Sequence, residues 1–391
     1  MNSSPKYDLI VYGSTGFTGR LVAEYLFNSY PDADEIKWAM AGRSLDKLKA
    51  VRDEMGISDS VDLIVADSDD EKAVDALVSQ TKVVLTTVGP YQLYGEKLLA
   101  ACVENGAGYV DLCGEPAWMH QMIAKYQNQA EKSGAVIVFS CGFDSIPFDL
   151  GVYFLQNHVK TSAGSPLSYI KGRVRKMQGT FSGGTAASLK ATLVAAKKDP
   201  NILKALMNPY SLATSQVLAD QPRGDKPYYD EELGTWVAPF VMAAINTKNV
   251  HHSNYLLDYA YGENFLYDEM MMTGPGEKGK AIAEHVSNDK SLSGDSGPKP
   301  GEGPSKEERE NGFYDILFIG KHENGETFKA SVAGYLDPGY GSTSKMISES
   351  AICLSQIASS LKGGFYTSAP ALGNKLIERL ESKAGLKFSI E

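Results

Sequence analysis

The chain has 391 residues, of which 43% are apolar and 22% charged, the composition of a globular protein long enough for two domains. Lys and Arg number 38 against 48 Asp and Glu, giving a formal net charge of −10, which argues against nucleic-acid binding because a phosphate backbone is held by a basic surface. The four cysteines lie apart without C-x-x-C spacing, which argues against a disulfide framework and fits a reducing cytoplasm.

Residues 7–150 alternate short apolar runs with amphipathic stretches. The predicted strands are Asp8–Tyr12, Ile36–Ala41, Val61–Ala66, Val83–Val88, Tyr109–Leu112 and Ala135–Ser140. Helical periodicity lies between them, for example at Arg20–Asn28 and Trp118–Ser133. Runs that are apolar on both faces are typical of parallel strands covered by helices. The pattern predicts an α/β fold over residues 1–150, a Rossmann-type doubly wound parallel sheet.

The pattern changes after Gly151. The predicted elements are a strand at Ser168–Val174, a helix at Thr185–Ala196, an irregular region at Asn208–Asp230, strands at Phe313–Gly320 and Thr327–Tyr335 joined by a tight turn at Asn324 and Gly325, and helices at Thr343–Leu361 and Gly373–Lys383. Residues 273–311 are rich in Gly, Pro, Ser and charge, which predicts a mobile loop. We therefore predict a second, α+β domain over residues 151–345.

The segment GSTGFTG follows the first strand and opens the first helix. Its glycines permit a tight turn and let backbone N–H groups approach a pyrophosphate at the helix N-terminus. A turn that binds no ligand is the alternative. The predicted nucleotide-binding residues here are Gly13, Ser14, Thr15, Gly16, Phe17, Thr18 and Gly19.

The end of the second strand indicates which nucleotide binds. Arg43 and Ser44 lie there, with Lys47 one turn later, and an Arg fork suits the 2′-phosphate of NADP(H). The alternative is that Arg43 is a solvated charge. Asp67 and Ser68 follow the third strand, where the adenine edge is expected, although a helix cap explains them equally well.

Polar residues also follow the last three strands of this half. We predict that Gly89, Pro90, Tyr91, Cys141 and Gly142 contact the cofactor, because the carboxyl ends of parallel strands meet at one crevice. The candidate proton donors and other catalytic groups are Tyr91, Asp111, Glu115, Asp144 and Ser145. For Gly89, Pro90 and Tyr91 the alternative is a turn without function. Taken singly, the segments after the fifth and sixth strands are explained equally well by helix caps. The six histidines have no metal-binding spacing, so we predict no metal site.

The combination of GSTGFTG, VGPYQLYG, YVDLCGEP and CGFDSIPFDLG resembles the saccharopine dehydrogenase-like oxidoreductases, especially the trans-acting enoyl reductase branch. AGYLDPGYGSTSKM and GGFYTSAPALG later in the chain are similar to that branch as well. The resemblance implies an inserted second domain, a C-terminal segment over residues 346–391 that packs back on the Rossmann domain, and a homodimer. CGFDS departs from the C-G-x-D-P pattern of saccharopine reductases at Ser145, which argues against saccharopine as the substrate.

These observations predict an NADPH-dependent oxidoreductase that reduces a C=C or C=O group of a lipid-like substrate. One alternative is a C–N oxidoreductase acting on an amino acid, and another is a non-catalytic, lipid-associated nucleotide-binding protein. The N-terminus lacks the pattern of a signal peptide and no run approaches about 18 apolar residues. We therefore expect a cytoplasmic location, with peripheral membrane contact left open.

Overall fold

The computed structural model describes residues 5–32, 35–180, 183–213, 218–289 and 301–391. Its strands are β1 Tyr7–Tyr12, β2 Trp38–Gly42, β3 Asp62–Val65, β4 Thr81–Thr86, β5 Gly108–Val110, β6 Val136–Val138, β7 Tyr169–Gln178, β8 Tyr228–Asp230, β9 Thr235–Pro239, β10 Leu266–Gly274, β11 Phe313–Lys321, β12 Thr327–Gly334, β13 Gly364–Tyr366 and β14 Leu386–Ile390.

The helices alternate with these strands in the first half and are interspersed less regularly in the second. They are α1 Phe17–Ser29, α2 Leu45–Glu54, α3 Glu71–Val78, α4 Tyr91–Tyr94, α5 Glu96–Asn105, α6 Pro116–Ser133, α7 Ile146–Ala163, α8 Gly183–Lys198, α9 Pro200–Met207, α10 Ala243–Leu256, α11 Gly276–Asn288, α12 Lys306–Glu310, α13 Thr343–Ile357 and α14 Ser368–Arg379. A π-helical turn at Pro338–Ser342 leads into α13.

The first sheet has the strand order β13-β6-β5-β4-β1-β2-β3, and all of its strand pairs are parallel. Alternate residues of β1 belong to two apolar clusters: Leu9 and Val11 pack with α1 and α13, whereas Ile10 and Tyr12 pack with α3 and α5. Both faces of the sheet are therefore covered by helices, as the long apolar runs require. The predicted Rossmann-type fold is confirmed.

The C-terminal segment contributes to both sheets. β13 adds a parallel strand beside β6, and α13 packs against β1, β4 and β5. β14 pairs with β12 at the edge of the second sheet. Residues 346–391, expected to be helical, thus also contain two strands, which we did not predict because GFY and LKFSI are short for a hydrophobic pattern.

The second sheet is mixed, with the order β14-β12-β11-β7-β10-β9-β8. Its central strands β7 and β10 are parallel to each other, and β11 and β12 form the predicted hairpin. Helix α7 follows β6 of the first sheet and packs on β11 and β12 of the second. Gly151 in this helix lies directly against the ring of Phe318 on β11, where a built Cβ would come 2.2 Å from the ring. An α+β second domain is therefore present.

The loop predicted over residues 273–311 needs a correction. Residues 276–288 form α11, which packs on β9 and buries Ala283. Residues 306–310 form α12, whose N-terminus has a capping box made by Ser305 and Glu308. The charged composition concealed an amphipathic helix whose small residues face β9. Residues 290–300 lie outside the described part of the chain. Within the described residues, no helix is both long and apolar enough to cross a bilayer.

Candidate cofactor and active site

The glycine loop between β1 and α1 has the backbone geometry of a phosphate-binding turn. Gly13 has φ +93°, which favours glycine, and a Cβ on Gly19 would lie 2.1 Å from the carbonyl oxygen of Gly13. Gly16 caps α1 without any side-chain acceptor, so the positive end of the helix is left to a ligand. The loop therefore fits a pyrophosphate bound through backbone N–H groups.

The side chains of the loop have different surroundings. The Ser14 hydroxyl donates to the carbonyl oxygen of Val11 at 2.7 Å and is fully buried, so its side chain is not available to a ligand. Phe17 packs edge-on against Tyr340 with ring centroids 5.2 Å apart, and the Arg309 guanidinium lies over the same ring. Thr15 and Thr18 are half-buried. Segments of the second domain thus lie on the loop.

The tip of β2 presents Arg43 to solvent. Ser44 caps α2, where its Oγ accepts from the Lys47 N–H at 3.4 Å, and Lys47 is exposed one turn along. The Asp67 carboxylate accepts from the Asp69 N–H, whereas the cap of α3 is Asp70. Asp67 is therefore not the helix cap that we considered as its alternative role. An exposed cation beside a hydroxyl fits a 2′-phosphate.

Tyr91 and Glu115 hold the ends of β4 and β5 together. Both oxygens of the Glu115 carboxylate accept hydrogen bonds from backbone N–H groups, one from Tyr91 at 2.9 Å and the other from Gln92 at 2.8 Å. The carboxylate thus caps the N-terminus of α4. The buried Tyr91 hydroxyl donates to the carbonyl oxygen of Thr86 and accepts from the Leu112 N–H, and burial raises its pKa well above the ordinary value. Both side chains are occupied by the backbone.

Asp111 is occupied in the same way. Its carboxylate accepts from the backbone N–H groups of Cys113 and Ser140 at 2.9 Å each and from the Tyr109 hydroxyl at 3.0 Å. Burial raises its pKa to about 7, against the lowering effect of these donors. These contacts connect the end of β5 to the end of β6.

Cys141 and Gly142 form the turn that follows β6. Cys141 is fully buried. A Cβ on Gly142 would lie 2.9 Å from the Thr343 side chain, whose Oγ1 accepts from the Phe143 N–H. The start of α13 therefore packs directly on this turn, which brings the C-terminal segment to the candidate site. Sequence patterns gave no indication of Thr343.

Asp144 differs from the other candidates. It is half-buried, yet its Oδ1 is shielded from solvent and has no hydrogen-bond partner among the described residues. Burial raises its pKa to about 7. A carboxyl with this pKa and an unoccupied oxygen has the properties of a proton donor.

Three residues that the sequence analysis missed surround Asp144 and Ser145. Asn249 on α10 donates to the Ser145 hydroxyl at 2.7 Å, and Asn246, one turn earlier, donates to Glu269 on β10 at 2.9 Å. Burial, with a smaller contribution from the charge of nearby Asp144, raises the pKa of Glu269 to about 8. The spacing of two asparagines by three residues places them on one helix face, but no motif marks α10.

Comparison with known proteins identifies the family of the chain. The model of the saccharopine dehydrogenase NADP-binding domain matches residues 9–138. A trans-acting enoyl reductase of Mycobacterium ulcerans is 33% identical over 96% of each chain, and a candidate trans-acting enoyl reductase of M. tuberculosis, Rv2449c, is 38% identical over 97% of each chain. The chain belongs to the trans-acting enoyl reductase branch of the saccharopine dehydrogenase-like oxidoreductases. The resemblance inferred from the motifs is confirmed.

A solved structure shares the fold of this saccharopine dehydrogenase-like chain. It is the apo saccharopine dehydrogenase (L-Glu forming) of Saccharomyces cerevisiae, with a TM-score of 0.54 and 12% identity over 98% of this chain and 100% of that one. The matched NADP-binding domain contains the glycine loop and Arg43. The chain is an NADP-binding oxidoreductase, and the predicted cofactor NADP(H) is confirmed.

Proposed function

We propose that this oxidoreductase reduces the C=C bond of an α,β-unsaturated acyl substrate and that Asp144 donates the proton. The proposal rests on one contrast among the five candidate catalytic residues. The polar atoms of Tyr91 and Glu115 are bonded to backbone groups, and those of Asp111 to backbone groups and the Tyr109 hydroxyl. Asp144 has a shielded oxygen without a partner among the described residues. Ser145 accepts from Asn249 and has a hydroxyl rather than a carboxyl to offer.

The chain positions the reactants and the proton. NADPH, when bound, supplies a hydride from C4 of its nicotinamide to the β-carbon of the substrate. The glycine loop would hold the pyrophosphate, with Arg43 and Ser44 at the 2′-phosphate. Asp144, at the end of β6, would give its proton to the α-carbon, leaving a saturated acyl group and an ionised carboxylate.

The surroundings of Asp144 favour an acyl substrate over an amino diacid. Ser145 follows it in the chain and is bonded to the Asn249 amide, and Glu269, which senses its charge, is bonded to the Asn246 amide. None of these four groups carries a positive charge. Substrate carboxylates are usually held by Arg or Lys. A neutral site therefore fits an enoyl group and its lipid-like chain better than a C–N reaction on an amino acid. The relatives named trans-acting enoyl reductase agree with this choice.

The variant Asp144→Asn tests the proposal. We expect kcat with an enoyl thioester to fall by about 10²–10⁴-fold, the usual contribution of a positioned acid, while the Kd for NADPH changes little. In the native protein kcat/KM should fall above about pH 7, because the donor is then ionised, and this fall should be absent from the residual activity of the variant.

The control is Asp59→Asn, at an exposed aspartate outside the site. Unchanged turnover of Asp144→Asn would remove Asp144 from the reaction. Turnover of an imine of an amino acid, with none of an enoyl thioester, would instead favour the C–N reaction. The homodimer and the cytoplasmic location remain predictions.

A further inference from the structure

The outward faces of α8 and α9 carry exposed apolar side chains. Leu193 is 42% exposed, Val194 45%, Leu203 48% and Met207 73%. The two helices follow each other in the chain and pack on each other, and we treat their exposed side chains as one surface. A group of exposed apolar residues rimmed by charge commonly marks a binding surface.

Lysines are interspersed among these apolar residues. Lys197 lies one turn after Leu193 and Val194 on the same face of α8, and Lys198 and Lys204 are exposed beside them. Residues 183–207 contain four Lys and a single acid, Asp199, whose carboxylate caps α9 by accepting from the Asn201 N–H. This surface is basic although the whole chain has a net charge of −10.

The inner face of α8 lies over the candidate site. Thr192 accepts a hydrogen bond from Gln92 of α4, and Thr185 is bonded to Tyr340. A Cβ on Gly89, at the end of β4, would lie 3.7 Å from the Ser188 hydroxyl. The same helix therefore covers the carboxyl edge of the first sheet with one face and presents apolar and basic groups with the other.

We propose that the exposed apolar residues together with Lys197, Lys198 and Lys204, here called the lysine-apolar face, dock on an anionic lipid bilayer. Protruding apolar side chains insert among the acyl chains and lysines pair with anionic headgroups. Such docking would bring the candidate site to acyl substrates held at that surface. The inference rests on the exterior of α8 and α9 and does not depend on which bond the enzyme reduces.

Two other occupants fit less well. A two-fold contact between copies of the chain would place the lysines of one copy against those of the other, which is repulsive. An acidic protein would pair with the lysines, but anchor residues of protein interfaces usually fill pockets, and the apolar groups here protrude. A bilayer can bind both the protruding apolar side chains and the lysines.

Vesicle flotation of the full chain tests the docking. We expect binding to vesicles of equal parts phosphatidylcholine and phosphatidylglycerol to exceed binding to phosphatidylcholine alone by about a hundredfold, as three lysines near an anionic surface imply. High salt should reduce the difference. The triple variants Lys197→Gln/Lys198→Gln/Lys204→Gln and Leu193→Ser/Leu203→Ser/Met207→Ser should each lose most of the binding while retaining the native Tm and NADPH affinity.

Matched controls use residues of the same kind elsewhere on the surface. Lys49→Gln/Lys132→Gln/Lys321→Gln and Val65→Ser/Tyr335→Ser/Ile390→Ser, all at exposed positions, should bind vesicles like the native chain. Equal losses in controls and face variants would overturn the proposal, as would absence of vesicle binding. A dimer that the apolar variant dissociates, without vesicle binding, would assign the face to a second copy. Capture of poly-glutamate by the face, again without vesicle binding, would assign it to an acidic protein.

Discussion

The central strands of the two sheets are buried in different ways. β1 and β2 of the first sheet are built almost wholly from buried apolar residues, and the polar groups of that domain stand at the strand ends. β7 and β10 of the second sheet carry Arg173, Asp268 and Glu269 inside the strands, all of them buried. The side chains inside the central strands of the first sheet are buried by apolar contact, whereas the second sheet requires that its buried charges be paired.

Two consecutive residues of β10 show how this pairing is arranged. Asp268 and Glu269 point to opposite faces of the sheet. Asp268 bonds Arg173 at 2.9 Å on the face that also carries Lys171, and Glu269 meets Asn246 on the face covered by α10. One face is therefore a structural ion-pair network, while the other borders the candidate site. Buried polar groups thus pair with opposite charges on one side and line the candidate site on the other.

Removing the buried cation is the strongest way to test this contrast. We expect Arg173→Ala to lower the free energy of unfolding by about 3–5 kcal/mol, because Asp268 is left charged and unpaired in the interior. Urea denaturation of the variant measures the change.

Arg175, two residues along the same strand, is the control. It pairs with Asp315 and Glu391 but is partly exposed, so Arg175→Ala should cost only about 0–1 kcal/mol. Similar losses for the two variants would show that burial does not distinguish the two ion pairs. A double variant, Arg173→Met with Asp268→Asn, should recover part of the stability lost in Arg173→Ala.

The same contrast explains how far the fold could be read from the sequence. Each strand from β1 to β6 overlaps an apolar run, because the central strands of a parallel sheet are covered on both faces, although the edge strand β3 is partly exposed. β10 reads LYDEMMMTG, and its two adjacent acids conceal the strand. Helix α10 was missed for a similar reason, since buried Asn246, Asn249 and His251 interrupt its apolar pattern. Only tertiary contacts make such residues suitable for the interior.

The cofactor end of the site was accessible to sequence reasoning because its chemistry is local. A glycine loop and one cation after the next strand suffice to predict NADP(H). The catalytic end was less accessible, because it brings together β6, α10 and β10, which are distant in the chain. Asp144 was one of five equal candidates, and only its missing hydrogen-bond partner separates it from the others.

The local character of the cofactor site gives a second test. An Arg–phosphate bond contributes about 1.5–3 kcal/mol, so Arg43→Ala should weaken NADPH binding by about one to two orders of magnitude and leave NADH binding nearly unchanged. Calorimetric titration of both nucleotides measures this difference. Lys49→Ala, at an exposed lysine on α2, should affect neither nucleotide. Equal losses of both nucleotides in Arg43→Ala would mean that Arg43 supports the fold or the adenine instead.

The last test concerns the buried acid on the other face of β10. Burial raises the pKa of Glu269 from 4.5 to about 8, although donors from Asn246 and Tyr267 oppose the shift. Between these two values the folded chain holds a proton that the unfolded chain has released, so the stability contributed by Glu269 falls as pH rises.

The variant Glu269→Gln removes this titration. The stability of the variant relative to the native chain should therefore increase from about pH 4.5 to about pH 8 and then level off. Urea denaturation at several pH values measures this trend, and Glu263→Gln, at an exposed glutamate in the loop before β10, should show none. A difference that does not vary with pH would mean that Glu269 is ionised in the folded protein, and the second sheet would then bury an unpaired charge that its other acids avoid.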